Sequence, residues 1–106
     1  PNPEVPGYTP SGLVRKDKKV AYEMTDNDVE DLIQNYVKDI ETIKMLGFDG
    51  VELHGAHGYM IDQFFWRDTN VRKDEYGKEE DLRTKSVCEI VSRVQYQPTY
   101  VCKQRH

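Results

Sequence analysis

The clearest periodicity in the chain runs from Val29 to Ile43. Val29, Leu32, Ile33, Tyr36, Val37, Ile40 and Ile43 recur at steps of three and one, with polar residues between them. That is the period of one helical face. Ahead of it, Thr25-Asp26-Asn27-Asp28 resembles a capping box with Asp in place of Glu, in which the Thr hydroxyl takes an orphan helix N–H. Asp26, Asp28 and Glu30 also suit the positive end of a helix dipole. Gly47 supplies a C-terminal stop. The pattern predicts a helix over 26–46.

The period then changes. After Phe48-Asp49-Gly50, the run Val51-Glu52-Leu53-His54 predicts a short strand with Val51 and Leu53 on one face and Glu52 and His54 on the other. A short helical turn is expected from Tyr59 to Phe65, then a polar loop through "RDTNVRKDEYGK". A further helix is expected to start near Glu79, where Glu80 and Asp81 again favour an N-terminus. Leu82, Val87, Ile90, Val91 and Val94 would form its buried face. Pro1 to Gly12 hold four of the five prolines, so this stretch should be irregular. The organisation expected is an irregular segment over 1–24, an αβα unit over 25–94 and a separate tail over 95–106.

One strand cannot form a sheet, and the amphipathic faces have little to bury against within the chain. The order reads as α/β, a fragment of a (β/α)8 TIM barrel. Composition narrows the function. A net charge of −4 with no basic stripe gives no reason to expect nucleic acid. No apolar run approaches the roughly 20 residues that span a bilayer, and "PNPEVPGYTPSG" lacks the regions of a signal peptide. Cys88 and Cys102 fit no zinc or redox spacing and read as reduced thiols of a cytoplasmic protein.

Candidate chemistry gathers in "GFDGVELHGAHGYMIDQFFWRDTN", Gly47 to Asn70. His54 stands at a predicted strand end and His57 and Tyr59 in the loop after it, where β/α barrels place catalytic groups. Gly55 and Gly58 remove side-chain bulk and tolerate positive φ. Imidazoles can donate to a carbonyl or oxyanion, and a phenol can deliver a proton. Two plainer readings stand beside this one. The histidines could bind a metal with Glu52 or Asp62, and Tyr59 could be packing beside Met60, Ile61 and Phe64. Phe64 to Trp66 read as packing as well.

The stretch "GFDGVELHGAHGYMIDQFFWRDTNVRKDEYG", with "PSGL" at Pro10–Leu13, resembles the old yellow enzyme family of FMN-dependent NADH:flavin oxidoreductases and ene-reductases. The resemblance implies the third helix, fourth strand and fourth helix of that barrel. It implies FMN as cofactor, NAD(P)H as electron donor and a small enone-type substrate. His54 and His57 match the pair that hydrogen-bonds the substrate carbonyl, with His54 also close to the flavin, and Tyr59 matches the proton donor. No metal is implied. Asn70, Arg72, Asp74, Tyr76 and Gly77 match a further family stretch, read as a set that fixes a loop.

The chain departs from the family where Lys78 and Glu79 follow Gly77, where Leu82 replaces an Asn, and from Gln95 onward, which makes 95–106 a divergent tail. Most FMN contacts are implied to come from barrel parts outside this chain. The 106-residue chain is therefore expected not to be active alone. The rival expectation is a non-catalytic remnant or interaction piece without flavin.

Overall fold

The computed structural model describes residues 7–94. The expected tail over 95–106 and residues 1–6 lie outside the described residues.

Helix α1 spans Asp26–Met45 and opens on the expected capping box: the Asp28 N–H donates to Thr25 Oγ1 at 3.1 Å and the Thr25 N–H to Asp28 Oδ2 at 2.9 Å. Such a cap contributes about 1 kcal/mol. Leu46 caps the other end and Gly47 follows at φ +89°. Many residues of its apolar face are β-branched, which costs up to about 0.7 kcal/mol each in helix propensity. Burial outweighs that, at about 1.5–3 kcal/mol for each fully buried side chain. Val29, Ile33, Val37 and Ile40 are all buried.

Helix α2 spans Met60–Phe65 and buries Ile61 and Phe64. The last helix begins later than Glu79: a 3₁₀ turn over Asp81–Thr84 leads into α3, Lys85–Arg93. Ile90 of α3 and Phe64 of α2 join Val29, Ile33 and Ile40 of α1 in one core with Met24. Arg93 adds a two-pronged ion pair to Glu30 at 2.6 and 3.1 Å, tying α3 to α1.

Residues 8–23, expected to be irregular, instead carry short ladders. Strand β1 (Tyr8–Thr9) pairs in parallel with β4 (Tyr22–Glu23), placing Tyr8 opposite Tyr22. Between them β2 (Leu13–Arg15) and β3 (Lys18–Lys19) form an antiparallel hairpin. The prolines punctuate the stretch, but its short pieces find each other. The strand expected at Val51–His54 is not formed among the described residues. A ladder needs a neighbour's N–H and C=O groups, and both ladders present are built within residues 8–23. Leu53 still packs on the core while Glu52 and His54 are exposed, as the alternation implies, but Val51 is exposed too.

Arg72 ties these parts together. Its side chain is 5% exposed, and the guanidinium donates to the carbonyls of Pro10 and Met24, to both oxygens of Asp74 and to Asp26 at 3.2 Å. Asp26 is 76% exposed, so that arm is screened by water and worth little. The Asp74 arm and the two carbonyls carry the weight. Asn70 completes the knot, donating to the carbonyls of Phe64 at 2.8 Å and Tyr76 at 2.9 Å while accepting from the Arg72 N–H. The Val71 N–H donates to Ser11 Oγ. Gly77 sits so close that a Cβ there would lie 2.3 Å from Asn70 Oδ1, which no side chain tolerates. The set matched to a loop-fixing role therefore does fix the 70–77 loop, and its partners include the N-terminal strands.

Replacing Arg72 by Leu strands Asp74 and two buried carbonyls. Breaking a buried pair this way costs about 3–5 kcal/mol. Urea unfolding should show that loss, and a change below about 1 kcal/mol, the range of an exposed pair, would show the knot to be superficial.

The same site sets a pH response. Burial pushes the Asp74 carboxyl up, but hydrogen bonds from Arg72 and Asp26, the Tyr76 N–H and the Arg72 charge bring it down to about 2. A carboxyl lowered in the folded state stabilises it above the ordinary value of about 4, and that contribution disappears as pH falls towards 2. Asp26 works in the opposite sense, because its hydrogen bond and charge contact with Asp74 raise it. The acid loss of stability below about pH 4 should be shallower in Asp74→Asn. An undiminished slope in that variant would contradict this assignment.

Candidate functional site

The turn between Leu53 and α2 holds the predicted residues. Tyr59 is the N-cap of α2 in an extended conformation, so its side chain leaves the helix start instead of packing along it. It is 64% exposed, which rules out core packing within the described residues. His57 and Gly58 before it both have left-handed backbone, at φ +60° and +77°. For a non-glycine residue that conformation costs roughly 1–2 kcal/mol, and such strain concentrates at functional sites. Of the two flanking glycines only Gly58 uses its freedom in this way. A Cβ on Gly55 would merely touch Ile61 and Phe65 at 3.4 Å.

The strained turn brings the three rings together. The His54 ring lies in the middle, its centroid 5.6 Å from that of His57 at an interplanar angle of 30°. The Tyr59 ring centroid lies 5.1 Å from that of His54 at an interplanar angle of 50°. None of the three side chains makes a hydrogen bond among the described residues. All three residues are exposed, and their N–H and O–H groups have donor capacity unspent among the described residues. Clefts of about 300 Å³ beside Trp66 and Arg83 and about 250 Å³ beside Met24 and Leu32 lie apart from these rings. The cluster sits on an open face.

Chemically this is an array of donors. It can hold an oxygen that carries or develops negative charge, and the phenol can release a proton. Among the described residues no three His, Cys, Asp or Glu side chains are placed to hold a metal ion. Asp62, weighed above as a metal partner, is instead buried beneath the turn, where its Oδ2 accepts the Gly58 N–H at 2.9 Å. Gln63, which drew no attention in the sequence, donates to the Gly58 carbonyl at 2.9 Å. The available signal was Asp62 at the third helical position, where an acidic side chain can reach back to the helix start. No helix among the described residues is long and apolar enough to cross a membrane.

Comparison with known proteins places these residues in context. A family model described as the NADH:flavin oxidoreductase / NADH oxidase family matches residues 2–99. NADPH dehydrogenase of Bacillus licheniformis is 37% identical over 88 residues, which is 82% of this chain and 26% of that protein. NADH oxidase of Thermoanaerobacter brockii is 44% identical over 68% of this chain and 11% of its own length. Among solved structures, the Old Yellow Enzyme from a Pichia species superposes with a TM-score of 0.72 at 31% identity, covering 84% of this chain and 26% of that one. The chain thus spans about a quarter or less of the length of these relatives. Its described residues have the α/β fold of one part of a (β/α)8 barrel.

Proposed function

Because the chain belongs to the NADH:flavin oxidoreductase / NADH oxidase family, whose cofactor is FMN with NAD(P)H as electron donor, we propose that its ring cluster is the substrate clamp of an FMN-dependent oxidoreductase of the old yellow enzyme type. The observation that carries this reading is the convergence of His54, His57 and Tyr59 on one open face, their side chains without hydrogen-bond partners among the described residues. The substrate class is a small activated alkene, such as an enone.

The residues present fit a flat cofactor edged with carbonyl oxygens and ring nitrogens. They offer planar donors side by side, and no metal-ligand cluster competes for them among the described residues. His54, the central ring, would lie against the cofactor. The chemistry FMN supplies when bound is two-electron carriage from NAD(P)H to substrate.

The chain's own part is polarisation and proton delivery. The His54 and His57 N–H groups hold the enone carbonyl oxygen and stabilise the negative charge that grows on it. Tyr59 gives its proton to the carbon beside that carbonyl, completing the saturated product. The resulting phenolate recovers a proton from water, to which its exposed ring is open. A non-catalytic piece without flavin is the second reading, favoured by the open face of the cluster, which lines neither of the two clefts. A visible flavin band on the purified protein separates the two.

Tyr59→Phe tests the central role. General-acid contributions run to about 100- to 10,000-fold, so with the segment in a complete FMN-loaded barrel stopped-flow rates of alkene reduction should fall by that order. Flavin reduction by nicotinamide, which needs no proton from Tyr59, should stay nearly intact. Equal slowing of both half-reactions would overturn the assignment.

A further inference from the structure

The rings depend on a turn that glycine alone would leave loose. The positions of His57 and Tyr59 relative to one another are set by the two peptide planes on either side of Gly58. Both planes are gripped from below. The N–H on the His57 side donates to Asp62 Oδ2 at 2.9 Å, and the carbonyl on the Tyr59 side accepts from Gln63 Nε2 at 2.9 Å. Backbone bonds continue the hold, from Gln63 N–H to the Tyr59 carbonyl at 2.9 Å and from Tyr59 N–H to the Ala56 carbonyl at 3.3 Å.

We propose that Asp62 and Gln63 are a positioning pair for the proposed reaction, fixing the left-handed turn that aims His57 and Tyr59. The proposal rests on reading those two side chains as clamp and proton donor.

Two features favour positioning over plain helix stability. Helix starts usually carry Ser, Thr, Asp or Asn at the N-cap, whereas here the N-cap is Tyr59, whose side chain makes no cap bond. Asp62 reaches back past it to Gly58, which leaves the N-cap position free to carry a phenol outward. The arrangement is also wasteful as a stabiliser. Asp62 is 8% exposed, and its Oδ1, like Gln63 Oε1, is buried without a partner among the described residues. Burying a carboxylate with one oxygen unpaired is costly. What the pair secures is the geometry of one glycine, and small misplacements of reacting groups cost about 100-fold in rate.

The test compares Asp62→Ala, Asp62→Asn and Gln63→Ala in the FMN-loaded complete barrel, with Tyr59→Phe as reference. Three readings are taken: affinity for a simple phenol followed by flavin absorption, the two half-reactions, and amide exchange of Gly58 in ¹⁵N-glycine-labelled protein. The Ala variants should weaken phenol binding about tenfold, slow alkene reduction by about 10- to 100-fold and spare flavin reduction by nicotinamide. Gly58 should lose protection in Asp62→Ala and keep it in Asp62→Asn, which retains the acceptor and most of the rate.

Unchanged phenol affinity and alkene reduction in both Ala variants would overturn the proposal, as would equal loss of both half-reactions. If Asp62→Ala fails to fold, Gln63→Ala and the Asp62→Asn exchange decide in the same way. If Tyr59→Phe itself leaves alkene reduction unchanged, the underlying reading of the cluster has failed, an outcome distinct from intact Ala variants beside a slow Tyr59→Phe.

Discussion

A guanidinium cannot be buried unless its donors are matched, and it cannot shed its charge to escape that demand. Arg72 meets the demand with groups from separate parts of the chain: the carbonyls of Pro10 and Met24, the first turn of α1 at Asp26, and Asp74 two residues along. The N-terminal ladders, the start of the long helix and the 70–77 loop must therefore be in place together. Asn70 extends the constraint, because its amide holds the Phe64 carbonyl near the end of α2. The other end of α2 carries Asp62 and Gln63, which grip the turn beneath the rings. A short helix thus links the knot to the candidate site, and six residues of helix transmit position only because both ends are tied.

That link explains how a mostly polar chain can present an ordered cluster on an open face. The apolar core of Met24, Val29, Ile33, Ile40, Phe64 and Ile90 is small. Its contribution is to hold α1, α2 and α3 against one another. The strain at His57 is borne by local hydrogen bonds beneath the turn. Stability and site geometry are served by different interactions, joined at α2.

Much of this was legible in the sequence where the signal is local. The capping box at Thr25, the helix face from Val29 and the stop at Gly47 are each read from residues within a turn or two of one another. The grouping of His54, His57 and Tyr59 followed from their closeness in the chain and from the family resemblance. Signals that depend on distant backbone were hidden. Arg72 could be marked as a loop residue, but carbonyl partners at Pro10 and Met24 leave no trace in side-chain identity. The alternation at Val51–His54 correctly turns Leu53 inward and His54 outward, yet a pattern of faces does not create the neighbour a strand requires. Glu79, Glu80 and Asp81 looked like a helix start, whereas the chain first makes a 3₁₀ turn. Asp62 was legible only as a carboxylate near histidines, and its actual target is a glycine N–H.

Native-state amide exchange in Arg72→Leu tests most directly whether one side chain unites these parts. In the native protein the Tyr22 and Met24 N–H groups bond within the N-terminal ladders, and those of Val71 and Tyr76 bond to Ser11 and Asp74. All four should lose protection together in the variant, while amides at Ile33 and Val37 within α1 keep theirs. Loss confined to Val71 and Tyr76, with Tyr22 and Met24 still protected, would contradict this.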